Sequence, residues 1–151
     1  MNPRSSMRKI LGLYEHELNS WLNAVLPKVK RIVDVGANDG YFTLGCAAAF
    51  RRLGIDGEIM GVEPQDQHME TLKASVNGAG RITLVQALVG RDEAPGMMTL
   101  DNVRWTLGAA DARSGALIKI DVEGAEIDVL AGAGSWMTPG NYFMIEVHEV
   151  L

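Results

Sequence analysis

The segment that most constrains this chain is Arg31 to Tyr41, RIVDVGANDGY, in which a short apolar run containing one acid breaks at glycines and restarts as helix-forming residues. A buried strand that turns sharply at glycine and re-enters a helix is a ligand cradle, because glycine lets the backbone reverse and approach a bound molecule closely. The fold must put this cradle at the end of a strand, and the ligand must suit its charge.

Similar runs recur down the chain. Glu58 to Val62 (EIMGV) reads as a second strand ending at Glu63-Pro64, Ile82 to Val89 (ITLVQALV) as a third, Leu117 to Val122 (LIKIDV) as a fourth and Tyr142 to Val147 (YFMIEV) as a fifth. Between them lie stripes at three- and four-residue steps. Leu11 to Val25 gives a helix over about 10–26, stopped by Pro27. Phe42, Cys46, Ala49, Phe50 and Leu53 mark a helix closed by Gly54, and Met69, Leu72 and Val76 one closed at Asn77-Gly78. Ala125 to Ala133 is a further helix, with Ile127 and Leu130 inward. Residues 90–115 are punctuated by glycine and proline, with a short helix expected over Thr99 to Leu107, capped by Thr99 or Asp101.

Strands that are apolar nearly throughout and alternate with helices predict a parallel sheet covered on both faces. The expected fold is α/β, a doubly wound, mostly parallel Rossmann-like sheet of about five strands, with ligands at the carboxyl ends of the strands. With 151 residues, one domain over 1–151 is expected, a helix over 1–27 preceding a core over 28–151. The formal charge of −5 and the scattered Lys and Arg residues argue against nucleic acid as a partner. No stretch approaches the roughly 18 apolar residues of a membrane span. The one cysteine, Cys46, reads as a small core residue, and the expected location is the cytoplasm.

A nicotinamide dinucleotide needs G-x-G-x-x-G after the first strand. Here the turn reads Gly36-Ala37-Asn38-Asp39-Gly40. Asn38 replaces the middle glycine, and Asp34 and Asp39 bring negative charge where a pyrophosphate would be repelled, so a nicotinamide oxidoreductase is disfavoured. Glu63, at the end of the second strand, can accept two hydrogen bonds from a ribose diol. A nucleoside carrying positive charge fits these features, and S-adenosylmethionine carries a sulfonium and an ammonium.

The runs DVGANDGYF, GVEP, LVQALVG, IKIDVEGAEIDVLAGA at Ile118 to Ala133, and the closing IEVH resemble, in order, the FkbM family of S-adenosylmethionine-dependent methyltransferases over about residues 30–148. The resemblance implies that Asp34, Gly36, Ala37, Asn38 and Gly40 form the cofactor loop, that Glu63 is the ribose acid, and that Leu88, or Ala87 beside it, lies under the adenine. It implies a converging edge of Asp121, Glu123, Glu126, Glu146 and His148. The expected reaction is methyl transfer to a hydroxyl of a small molecule, sugar or lipid-linked saccharide, with Asp121 or His148 as base and Glu123 orienting the acceptor. Glu126 and Asp128, however, read first as first-turn acids that favour a helix dipole without a catalytic task. No tight metal-ligand spacing is present, and His16 and His68 read as surface residues.

Two departures from the family pattern bear on function. The interval before IDVEGAE is short, which leaves the acceptor unread, and the usual antiparallel strand pair after the fifth strand is absent from the 151 residues. An uncovered sheet edge raises a homodimer sharing edges. The competing reading is a methyltransferase-fold domain that binds the cofactor or a nucleoside without turnover.

Overall fold

A computed structural model describes residues 18–106 and 115–148. Helix α1 (Asn19–Val25) passes into a 3-10 turn, Leu26–Lys28, ahead of β1 (Arg31–Val35). Pro27 therefore starts a tighter turn rather than ending the helical path, since it lies at the beginning of that turn, where its missing N–H is no loss. The expected helix residues 10–17 lie outside the described residues. There follow α2 (Tyr41–Leu53), β2 (Glu58–Val62), α3 (Asp66–Val76), β3 (Ile82–Val85), β4 (Leu88–Gly90), β5 (Met97–Thr99), α4 (Leu100–Thr106), β6 (Ala116–Ile120), α5 (Glu126–Ala131) and β7 (Tyr142–Ile145).

Five strands form one parallel sheet in the order β3-β2-β1-β6-β7. The doubly wound Rossmann-like architecture expected from the apolar runs is thus present. The order reverses direction between β1 and β6, and the crevice beyond their carboxyl ends is where such sheets bind ligands.

Alternation along β1 divides the core. Val33 and Val35 pack with Met60, Val62, Ile118 and Ile120 against Val103, Val129 and Trp136 on one face. Ile32, Ile59 and Leu117 pack with Val25, Cys46, Ala49 and Phe50 on the other. Cys46 is buried there. Asp34 and Lys119 lie side by side in the ladder of β1 and β6, on the same face as Ile32 and Leu117.

Several sequence expectations need correction. The run Ile82 to Val89 is two strands: β3 ends at Val85, and β4 pairs instead with β5 in a separate two-stranded sheet. An apolar run cannot reveal where a strand changes partner. Ile127, expected inward, is 77% exposed, because the buried positions at three- and four-residue steps are Glu126, Val129 and Ala133, one of them an acid. Leu53 is exposed at the last turn of α2, next to the left-handed Gly54 cap. Residues 90–106 carry more order than the glycines suggest. Thr99 caps α4 by accepting the Asn102 N–H at 3.2 Å, and Asp101 accepts the Ser135 N–H at 2.9 Å.

Candidate active site

The loop after β1 begins at Gly36, which has φ +80°, and a Cβ built there would lie 1.9 Å from the Asp121 carbonyl oxygen. The backbones leaving β1 and β6 therefore meet, and only glycine permits it. The Gly36 and Ala37 N–H groups both donate to the Val62 carbonyl, at 2.9 and 3.0 Å, so the loop folds over the end of β2. Asn38 takes a left-handed φ of +52°, and its N–H donates to Glu63 Oε2 at 2.9 Å. The other carboxylate oxygen accepts the Gln65 N–H at 2.9 Å. Glu63 is thereby fixed, yet each oxygen keeps a lone-pair direction for a ligand.

These elements surround a cavity of about 320 Å³, lined among others by Gly36, Asn38, Glu63, His68, Leu88 and His148. Its other acids are Asp121, Glu123 and Glu146. Among the described residues no Lys or Arg lines it, so its field favours a ligand with positive charge. Ala87 and Leu88 both face it because the chain leaves the sheet after Val85; Leu88 is half exposed. His68 corrects the sequence expectation of a plain surface residue: it lines the cavity with Nδ1 3.6 Å from Glu63 Oε1. His16 lies outside the described residues.

Three predicted cofactor residues lie behind the lining. Ala37 is buried in the cluster of Met69 and Leu72, and Gly40 precedes α2 with φ +89°. Asp34 is fully buried. Its Oδ2 accepts the Thr43 hydroxyl at 2.6 Å, and Oδ1 lies 3.7 Å from Lys119 Nζ. Desolvation pushes the Asp34 carboxyl above its ordinary range, although Lys119 and Thr43 pull the other way. Thr43→Val strands a buried oxygen and is expected to cost about 1–3 kcal/mol, read as a lower Tm in thermal unfolding with the sheet otherwise intact.

The opposite side of the cavity holds an acid–imidazole edge. His148 Nδ1 donates to Glu126 Oε1 at 2.8 Å, and Nε2 lies 3.8 Å from Asp121 Oδ1 and 3.7 Å from Glu146 Oε1. Glu126 also accepts the Gly124 N–H at 3.0 Å. Glu123, with φ +52°, is in the turn that brings Gly124 round. The residue that sequence reasoning undervalued is Glu126. A first-turn acid has a dipole explanation, and only its placement under an imidazole 22 positions away gives it a second task. Asp128 does stay outside the site, paired with Arg91 at 3.0 Å.

The hydrogen bond to Glu126, opposed by desolvation and reinforced by Asp121 and Glu146, holds the His148 imidazole above its usual pKa. Burial disfavours charge on Glu126, but the hydrogen bonds from Gly124 and His148 outweigh it and bring the carboxyl below its usual range. The signs give a pH window. The His148 contribution is complete below its ordinary value of 6.5 and fades as pH rises through its higher folded value. The Glu126 contribution is complete above its ordinary 4.5 and fades as pH falls through its lower folded value. The stability gap between the wild type and His148→Gln, measured by urea unfolding, is expected to be larger at pH 6 than at pH 9.

One ligand atom from each of Asp121, Glu146 and His148 falls within 4.8 Å of the others. Lys119 Nζ already lies 3.1 Å from Asp121 Oδ2, and the imidazole favours its charged form. Both oppose a cation, and we read the trio as an ion-paired group.

No family model and no curated protein matches the sequence. Solved structures do. A S-adenosylmethionine-dependent methyltransferase from Aquifex aeolicus aligns with a TM-score of 0.54 at 12% identity, over 84% of this chain and 61% of that one. One from Archaeoglobus fulgidus gives 0.53 at 15%, over 90% and 52%. Coclaurine N-methyltransferase bound to N-methylheliamine and S-adenosylhomocysteine gives 0.54 at 12%, over 87% and 34%. The chain spans less than two thirds of each. It has the Rossmann-like fold of S-adenosylmethionine-dependent methyltransferases.

Proposed function

We propose that the chain is an FkbM-like methyltransferase that uses S-adenosylmethionine and methylates a hydroxyl of a small molecule, sugar or lipid-linked saccharide. The observation that carries this reading is a single cavity bounded on one side by Glu63, anchored by Asn38 and Gln65, and on the other by His148, held from behind by Glu126. Methylated and demethylated forms of the cofactor are the probes. Calorimetry should detect binding of S-adenosylmethionine and S-adenosylhomocysteine to the protein, and absence of heat with both sinks the proposal.

The residues fit that cofactor by their donor and acceptor chemistry. Glu63 would hold the ribose diol, Gly36 and Asn38 would border the methionine portion, and Leu88 with Ala87 would support the adenine. Asp34, Ala37 and Gly40 would act from behind the lining by holding the loop and the start of α2. When bound, S-adenosylmethionine supplies a methyl on a sulfonium, an electrophile that needs little further activation. The chain's own work is to orient an acceptor oxygen in line, exclude water and take a proton. His148 Nε2 would take it, since Nδ1 is engaged by Glu126; Asp121 and Glu123 would position the acceptor.

A cofactor-binding domain without turnover is the second reading, favoured by the small cavity of about 320 Å³. Binding without any methylated product across an acceptor screen would select it. No described helix is long and apolar enough to cross a membrane. We place the reaction in the cytoplasm and propose that a second copy pairs along β7, an outer strand of the described sheet; a strict monomer in sedimentation at high concentration removes that pairing.

A further inference from the structure

Within β6, the run Ala116–Ile120 is fully buried and otherwise apolar, yet it contains Lys119, which is 4% exposed. A buried ammonium carries a desolvation cost that a methionine of similar length would avoid. Its surroundings show what it connects. Nζ lies 3.1 Å from Asp121 Oδ2 and 3.7 Å from Asp34 Oδ1, and 5.5 Å from the centre of the Phe42 ring. Asp34 is in turn held by Thr43 of α2. Asp121 offers its other oxygen to the cavity side, 3.8 Å from His148 Nε2.

We propose that Lys119 is a positioning residue whose buried ammonium anchors Asp121 at the cavity edge and sets the charge that His148 meets. This rests on the reading of that edge as the acceptor side of a methyltransferase. A lysine serving only to neutralise Asp34 would need no second carboxylate. Here one oxygen of Asp121 is tied inward and the other left beside the imidazole, so a rotation of Asp121 onto His148 would sacrifice the contact with Lys119. The charges around this edge come from four elements and their loops: Asp34 from β1, Lys119 and Asp121 from β6 and its end, Glu126 from α5, and Glu146 just beyond β7.

Two variants test it. Lys119→Met removes the ammonium at nearly constant volume, and the double variant Asp34→Asn/Lys119→Met removes the opposing buried carboxylate as well, restoring charge balance. The first readout is the pH titration of the His148 ring resonance by NMR, assigned by its loss in His148→Gln. Without the ammonium, Asp121 acts on the imidazole uncompensated, and the midpoint should rise by about half a unit to one unit. The second is methyl transfer, where kcat should fall about tenfold with the KM for S-adenosylmethionine little changed.

The double variant should regain much of the stability lost in Lys119→Met while keeping the altered titration and kcat. If it returns both to wild type, Lys119 only neutralises Asp34 and the proposal is overturned. An unchanged His148 midpoint in either variant overturns it too, and if Lys119→Met fails to fold, the double variant decides alone. The titration needs neither cofactor nor acceptor. A shifted midpoint in a protein that never transfers a methyl group retains the anchoring role and removes the methyltransferase reading.

Discussion

His148→Gln is expected to lower the turnover of methyl transfer by about 10² to 10⁴, with the affinity for S-adenosylhomocysteine nearly unchanged. The size follows from the loss of a placed base rather than of a binding contact. Nδ1 of His148 is held by Glu126 at 2.8 Å, which fixes the ring and directs Nε2 toward the side of Asp121 and Glu146. Because these carboxylates hold the imidazole above its usual pKa, the neutral form that accepts a proton grows as pH rises. The rate of the wild type should therefore climb through neutral pH into the alkaline range. Glu126→Gln removes the largest cause of that shift, so its profile should move to lower pH and its loss at neutral pH should be smaller than that of His148→Gln. A fall in S-adenosylhomocysteine affinity that matches the fall in rate would instead assign His148 to cofactor binding, and an unaffected rate would leave Asp121 as base.

Glu63→Ala should weaken S-adenosylhomocysteine binding by about 10² to 10⁴, since a carboxylate holding a diol makes two hydrogen bonds to charge, each worth about 1.5–3 kcal/mol, and about 1.4 kcal/mol is a factor of ten. The same carboxylate accepts the Asn38 and Gln65 N–H groups at 2.9 Å each, so alanine also loosens the loop. Glu63→Gln separates the two effects: one oxygen remains as an acceptor, and the loop loses one anchor instead of both. Calorimetry on the three proteins, with thermal unfolding alongside, should place Glu63→Gln between the others in affinity but near wild type in Tm. Equal affinities for all three would show that the acid holds the loop and never meets the ribose.

The parallel sheet was legible in the sequence because its signal is local. Strands such as Ala116–Ile120 are buried at every position, and the helices between them carry stripes that reach the core, as Met69, Leu72 and Val76 do. What sequence could not show depends on partners far away along the chain. The break between Val85 and Leu88 is a change of neighbour, and both halves are composed alike. Ile127 has the composition of a core residue, yet the inward stripe of α5 carries Glu126 and Val129, and an acid does not read as inward until its partner is seen. The candidate site was legible as a set of acids at strand ends. Its internal assignments were not: Asp34 lies beneath the cavity rather than in it, Glu126 is bonded to the imidazole, and His68 comes to Glu63 from a helix with no motif of its own.

The departure of the chain from the sheet after Val85 has a consequence for how this protein can change. Leu88 and Val89, with Ala87 just ahead of them, line the cavity from a small sheet of two parallel strands joined by the turn through residues 91–96, not from the five-strand ladder. Insertions or exchanges in that turn can reshape one wall without shifting the register that aligns β1 with β6. Evolution, or a designer, thus has an adjustable wall on a fixed frame, where ligand preference can drift while the Gly36–Asp121 junction stays as it is.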